Sequence, residues 1–257
     1  MDSLWGIWND ETQADTHRLT AISDISWYGY LFTQPDSAFF FAQLQLDFAK
    51  EKGQKKYIAD AFNTQGISFY LQGDYDQAIE HHSQSLKTRE EVGDKNGLSA
   101  SLNNIGIIYK EQGDYAKAIE YYSRSLEIQK EIGDEKGIAA SLNNIGNIYN
   151  DQGDYANAIE YYTQSLKIQE KIKNKNGIAA ALGSIGNIYK EQRDYDKAID
   201  YFKQCLKIAD KSGNNQFIAN CLNNIGIIFK EQSDYIKAIE YHSQSLKIYE
   251  EIGDKNG

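Results

Sequence analysis

The amino-acid sequence predicts an all-α protein of about six stacked helix pairs, and three features of the 257-residue chain carry that prediction. A string of 40 residues recurs in strict register. Apolar residues within each string fall at helical spacing. Glycine followed by aspartate recurs between the apolar stretches, where helices would end and start.

The recurrence is clearest in SLNNIGIIYKEQGDYAKAIEYYSRSLEIQKEIGDEKG from Ser101, which returns from Ser141 as SLNNIGNIYNDQGDYANAIEYYTQSLKIQ. Gly66, Gly106, Gly146, Gly186 and Gly226 fall in step, as do Tyr75, Tyr115, Tyr155, Tyr195 and Tyr235, and Ala78, Ala118, Ala158, Ala198 and Ala238, marking five copies. One copy cannot bury its apolar face alone, so copies must stack, each touching only its neighbours. A single elongated domain is expected.

Within a copy, Leu102, Ile105, Gly106 and Tyr109 line one helix, and Ala118, Tyr122, Ser125 and Leu126 line a second. Between them stands Gly113-Asp114-Tyr115, with glycine suited to a left-handed helix end and aspartate to the next cap. Arg193 and Ser233 replace that glycine, at a cost of up to about 1 kcal/mol each if the backbone stays left-handed. Strings such as Gly93-Asp94-Lys95-Asn96-Gly97 are expected to form the turn between copies. The predicted pairs are 57–72 with 75–91, 97–112 with 115–131, 137–152 with 155–171, 177–192 with 195–211, and 217–232 with 235–251.

Composition narrows the function. With 41% hydrophobic and 25% charged residues and a mean hydropathy of -0.62, a packed core is affordable and disorder is not expected. A net charge of -10 opposes a phosphate backbone, which needs clustered Lys and Arg, so nucleic acid is a poor partner. No apolar run approaches the roughly 20 residues of a membrane-spanning helix, and no export signal follows Met1. The expected location is cytoplasmic as the sequence stands, or extracytoplasmic if a signal has been removed.

The small Gly106, aromatic Tyr109, small Ala118 and aromatic Tyr122 resemble the tetratricopeptide pattern of Gly, Tyr, Ala and Phe. Gly106 to Ala118 spans 12 residues, as the family's hairpin requires, and Ala118 to Gly146 spans 28. The residues beyond the family's usual length of about 34 therefore all lie after that alanine. The proline that closes the usual repeat is absent, with Lys130 and Glu170 near its place. The LNNIG form is similar to the long repeats of kinesin light chains, polarity adaptors and bacterial MalT-like sensor arrays, over residues 54–257. The resemblance implies a right-handed α-α superhelix whose concave groove holds a protein or peptide. It further implies the input or interaction array of a larger bacterial signalling protein.

Residues 1–53 break the pattern and are expected to form a degenerate capping repeat over 16–52, with Gly29 near the place of Gly106 and a helix starting at Pro35-Asp36. Trp5, Trp8 and Trp27 gather here, as a hydrophobic plug over the first copy rather than a ligand cage. At the other end Gly253 to Gly257 repeats the lead-in Gly93 to Gly97, so the chain reads as truncated at the start of a further repeat. An uncapped end there offers a second reading, self-association without a groove ligand.

In the family the side of the first helix away from the core lines the groove. Stacking the copies places on it Asn63, Asn103, Asn143, Gly183 and Asn223; then Thr64, Asn104, Asn144, Ser184 and Asn224; then Ile67, Ile107, Asn147, Asn187 and Ile227. Each amide offers two donors and an acceptor, so the ladder could pair with the backbone of an extended peptide, leaving selectivity to flanking pockets. The alternative is that the amides bond one another or nearby backbone, since Asn is a poor mid-helix residue. One of each pair in each role is the expectation. Lys110, Lys190 and Lys230 join them at the groove edge, among Glu111, Asp151, Glu191 and Glu231, so no single-sign clamp forms.

Nothing points to catalysis, a metal or a cofactor. His81 and His82 occupy the places of Tyr121 and Tyr122 and read as aromatic substitutes, as does His242. Ser85, Ser125, Ser165 and Ser245 read as small packing residues. Cys205 and Cys221 stand where other copies place pairs such as Ser125 with Ser141. They are expected to be buried thiols facing each other across a helix contact, with a disulfide as the alternative.

Overall fold

A computed structural model describes residues 1–253, and among them no β-strand occurs. The helices are α1 (Asp2–Asn9), α2 (Asp15–Asp24), a short π-helix (Ile25–Tyr30), α3 (Pro35–Glu51), α4 (Lys55–Leu71), α5 (Tyr75–Val92), α6 (Lys95–Glu111), α7 (Tyr115–Ile132), α8 (Glu135–Asp151), α9 (Tyr155–Lys171), α10 (Lys175–Glu191), α11 (Tyr195–Ser212), α12 (Asn215–Glu231) and α13 (Tyr235–Glu251). From α4 onward the pairs are those expected, with one correction. The turn between copies is far shorter than Gly93–Gly97, because Gly93 turns left-handed at φ 72° and Asp94 at once caps α6 by accepting the Gly97 N–H at 3.0 Å. Lys95 and Asn96 are already helical.

Contacts divide the chain into two compact units, residues 1–133 and 134–257. The boundary between the units falls at an inter-copy turn, as suits an array in which each copy contacts only its neighbours. The lead-in at 254–257 lies outside the described residues.

Each copy in either unit is closed by the same two devices. The first is a ring seated on a bare backbone: Tyr122 lies over Gly106, Tyr162 over Gly146 and Phe202 over Gly186. The second is a hydrogen bond from the second helix to the first. Ser85 Oγ donates to the Ala59 carbonyl at 2.8 Å, Ser125 to Ser99 at 2.9 Å, Ser165 to Ala139 at 2.9 Å and Ser245 to Ala219 at 2.8 Å, with Cys205 Sγ and Ala179 as the sulfur counterpart at 3.3 Å. These serines are therefore helix-to-helix ties as well as packing residues. Stacked aromatic pairs, Tyr149 with Tyr161 and Tyr189 with Tyr201, cover the hairpin ends at ring separations of 5.4 Å.

In the first unit α1 lays Trp5 against Phe41 and Trp8 against Phe48, both on α3, at 5.5 and 5.3 Å. The tryptophans of α1 thus pack edge-on against aromatics of the next helix pair. Gly29 is not a counterpart of Gly106, because the space beside it is taken by the Met1 side chain and not by a ring of the second helix. The π-helix shifts the register there. Deeper in this unit Arg89 on α5 is buried between two carboxylates, Asp60 at 2.8 Å and Asp94 at 2.6 Å, and bonds Ser85 Oγ at 3.1 Å.

Candidate partner-binding face

The helical period places the amides of α4, α6, α8, α10 and α12 on the face of each first helix that turns away from its buried Leu-Ile-Gly side. On α6, Leu102, Ile105 and Gly106 are buried while Asn103, Asn104, Ile107 and Lys110 are partly exposed. The helices α8, α10 and α12 keep the same separation, whereas on α4 Thr64, expected on the groove side, is buried and donates to the Asp60 carbonyl at 3.2 Å. That separation is what the sequence anticipates. The division of labour within each Asn pair is not.

In the first unit Asn104 Nδ2 donates to Asn63 Oδ1 at 3.0 Å, tying α6 to α4 across one repeat. In the second unit Asn147 accepts the Tyr162 hydroxyl at 2.6 Å. Asn223 lies 2.9 Å from His242 Nδ1. Asn224 accepts Lys190 Nζ at 2.9 Å while donating to the Asn220 carbonyl at 3.0 Å. Asn103, Asn144 and Lys110 also have partners. Both members of the Asn pair are thus engaged in copies two and five, where one structural amide and one facing the groove were expected. Asn143, Asn187 and Lys230 form no side-chain hydrogen bond among the described residues, and Asn187 and Lys230 are exposed.

Two cavities interrupt this face, one in each unit. The first, of about 180 Å³, is almost wholly apolar and is bounded by Phe32, Ile67, Tyr70, His82, Asn104, Ile107 and Ile108. His82 lies in its wall with Nδ1 buried and unpartnered. Burial, with smaller contributions from His81 and Arg89, pushes the His82 imidazole down to about 4, so the ring is neutral near pH 7. His82 does replace an aromatic ring as expected. Its missing hydrogen bond is a feature that the residue type alone did not reveal.

The second cavity, of about 260 Å³, is bounded by Ala180, Gly183, Ser184, Asn187, Phe202, Cys205, Phe217, Asn220, Cys221 and Asn224. Gly183, where the amide row is broken, is one of the residues that line it. Cys205 and Cys221 are buried free thiols with Sγ atoms 2.6 Å apart. The Cys221 thiol donates toward Cys205, which holds the Cys205 thiol below its ordinary range and pushes that of Cys221 up. Among the described residues no cluster of three or more His, Cys, Asp or Glu is placed to hold a metal ion, and no helix is long and apolar enough to cross a membrane.

The sequence profile of the tetratricopeptide repeat matches residues 57–131, 137–211 and 178–251, which is most of the chain. The chain belongs to the tetratricopeptide repeat family. Solved tetratricopeptide structures agree in fold. BtubC (BKLC) from P. vanneervenii is 19% identical, with 88% of this chain and 94% of that chain covered and a TM-score of 0.75. A STAND protein with a tetratricopeptide repeat sensor from Pyrococcus horikoshii is 15% identical with a TM-score of 0.78, over 96% of this chain and 39% of that one. A kinesin light chain-like repeat protein of Podosopora anserina is 16% identical with a TM-score of 0.62, over 75% and 95% respectively. No curated protein sequence is matched.

Proposed function

We propose that this tetratricopeptide array is a non-enzymatic scaffold that binds an extended segment of a protein partner along its amide-bearing face. The observation that carries this reading is the apolar cavity between Ile67, Tyr70 and Ile107, set among partly exposed amides on a face that the repeats themselves do not fill. In the first unit an apolar side chain of the partner enters that cavity, on the face that also bears Asn103, and in the second unit Asn143 and Asn187 are the amides that bond a partner's backbone. Asn63, Asn104, Asn147, Asn223 and Asn224 act chiefly by holding the helices that present the face. Membership of the family supports a binding role. The likeness in fold to a tetratricopeptide sensor suggests the finer role of an input array in a signalling protein.

The test is selection from a library of random extended peptides against the whole chain, followed by Ile107→Glu. Ile107 is only partly buried, so the variant should keep its helical circular dichroism and thermal midpoint while losing affinity for the selected peptides. Peptides that bind the variant as well as the parent would refute the reading.

A second reading, self-association, has its own observation. On α13, Ile236, Ile239 and Leu246 are 83%, 67% and 53% exposed, whereas Ile199 and Leu206 at the matching places on α11 pack against the core. That apolar row suits another helix of the same kind. Sedimentation of the parent and of Ile239→Glu/Leu246→Glu distinguishes the two readings, since only self-association predicts a dimer that the double variant abolishes.

A further inference from the structure

Seven of the ten residues around the cavity of the second unit depart from the repeat. Gly183 and Ser184 stand where most copies have two asparagines. Phe202 is the one ring of its row without a polar atom, against His82, Tyr122, Tyr162 and His242. Phe217 and Asn220 replace the Gly177 and Ala180 of the preceding copy. Cys205 and Cys221 replace a pair of serines. Departures that arose for helix stacking would have no reason to converge on one opening in the amide face.

The chemistry of the two sulfurs differs from that of the hydroxyls they replace. Ser85 and Ser101 make the same contact at 3.2 Å and can only share a proton. Two sulfurs facing each other directly across the contact of α11 with α12 are placed to join as a disulfide. Gly183 also leaves the path clear. A Cβ at that position would stand 4.0 Å from Cys205 Sγ, so a longer side chain there would take up space in the cavity that the two residues line together.

We propose that Cys205 and Cys221 form a redox-convertible dithiol, reached through the cavity under Gly183 and oxidised by low-molecular-weight disulfides. Cys205, after giving up its proton, attacks one sulfur of the small disulfide. That S–S bond breaks, one small thiolate leaves, and a mixed disulfide remains on Cys205. Cys221 loses its proton and attacks the Cys205 sulfur, expelling the second small thiolate. The protein loses two hydrogens and two electrons, and one disulfide is reduced to two thiols. Cys205 is the attacking sulfur because the thiol of Cys221 points at it and lowers its proton affinity. The new bond joins α11 to α12 within the second unit, a staple between one copy and the next that no serine pair can form.

The proposal is tested on the whole chain, equilibrated in native buffer against a series of glutathione to glutathione disulfide ratios and read by thiol titration and intact mass. The expected result is joint loss of both thiols with a mass lower by two hydrogens and no retained glutathione. Cys221→Ser, a substitution to the residue of other copies, should retain one glutathione on Cys205. Gly183→Asn, which restores the amide of the other rows, should slow oxidation by about tenfold or more through loss of access while leaving the fold intact. Thiols that stay titratable at every ratio, or a Cys221→Ser chain that takes up no glutathione, would overturn the proposal. Oxidation of Gly183→Asn at the parental rate would overturn the route through the cavity.

Discussion

The ring of Tyr122 occupies the space that a side chain on Gly106 would need, since a Cβ there would stand 2.8 Å from its edge carbons. Gly106→Ala should therefore destabilise the protein by about 1–3 kcal/mol despite the higher helix propensity of alanine, because a buried ring held on two sides cannot retreat. Gly183→Ala has the opposite sign. Its Cβ would meet nothing closer than 4.0 Å, so the propensity gain of up to about 1 kcal/mol is kept. Urea denaturation of the two variants measures both.

Arg89 is stabilising only because Asp60 and Asp94 are there. Arg89→Ala should cost about 3 kcal/mol by leaving two partly buried carboxylates unpaired, and burial already raises the Asp60 carboxyl despite the guanidinium beside it. The next copy solves the same position without charge, with Gln129 bonding Ser125 Oγ at 3.0 Å and Ala100 in the place of Asp60. Arg89→Gln/Asp60→Ala should accordingly recover most of the loss, a non-additivity that a double-mutant cycle detects.

His82 should make the protein sensitive to mild acid. In the folded chain it stays neutral down to about 4, against an ordinary value of 6.5, so between those values the unfolded chain holds the extra proton. Stability is then fully expressed above about pH 6.5 and declines as the pH falls toward 4, by up to about 3 kcal/mol. His82→Tyr, which installs the residue of the next two copies, should flatten thermal midpoints measured across that window.

Arg193 and Ser233 hold left-handed backbones at φ 60° and 62°, as does Lys173 at 57°. Arg193→Gly and Ser233→Gly should each raise stability by up to about 1 kcal/mol, and Gly113→Ala, at φ 77°, should lower it by a similar amount. Calorimetry that finds Ser233→Gly destabilising would show that the serine is held there by something other than its backbone.

Much of this architecture is legible in one sequence because a repeat states its rules several times. Gly113-Asp114 and Gly93-Asp94 announce caps, and five aligned glycines announce where rings sit. Helix starts were missed by two residues because Lys95 and Asn96 are indifferent to being turn or helix, and only the cap bond from Asp94 decides it. The amide face was legible and its internal bonding was not, since whether Asn104 meets Asn63 or a ligand depends on the offset between stacked helices. Gly29 misled because its spacing matches while its neighbour, Met1, comes from the chain terminus. The cavity at Gly183 could have been suspected from departures sharing one region of adjacent copies, but only in three dimensions do residues 183, 202, 205 and 221 surround one opening.

The serine-to-carbonyl tie spans 26 residues wherever it occurs, and each instance begins and ends inside one copy. Closing so short a loop costs little chain entropy, so a hairpin can acquire its tertiary bond before any neighbour has formed. Folding should then be fast for a chain of this length and nucleate at more than one hairpin, with contact order set by the copy rather than by the protein. The same locality means that amide-exchange protection should rise and fall copy by copy, and that Ser165→Ala should loosen its own hairpin while a distant one, such as that holding Ser245, keeps its exchange rates.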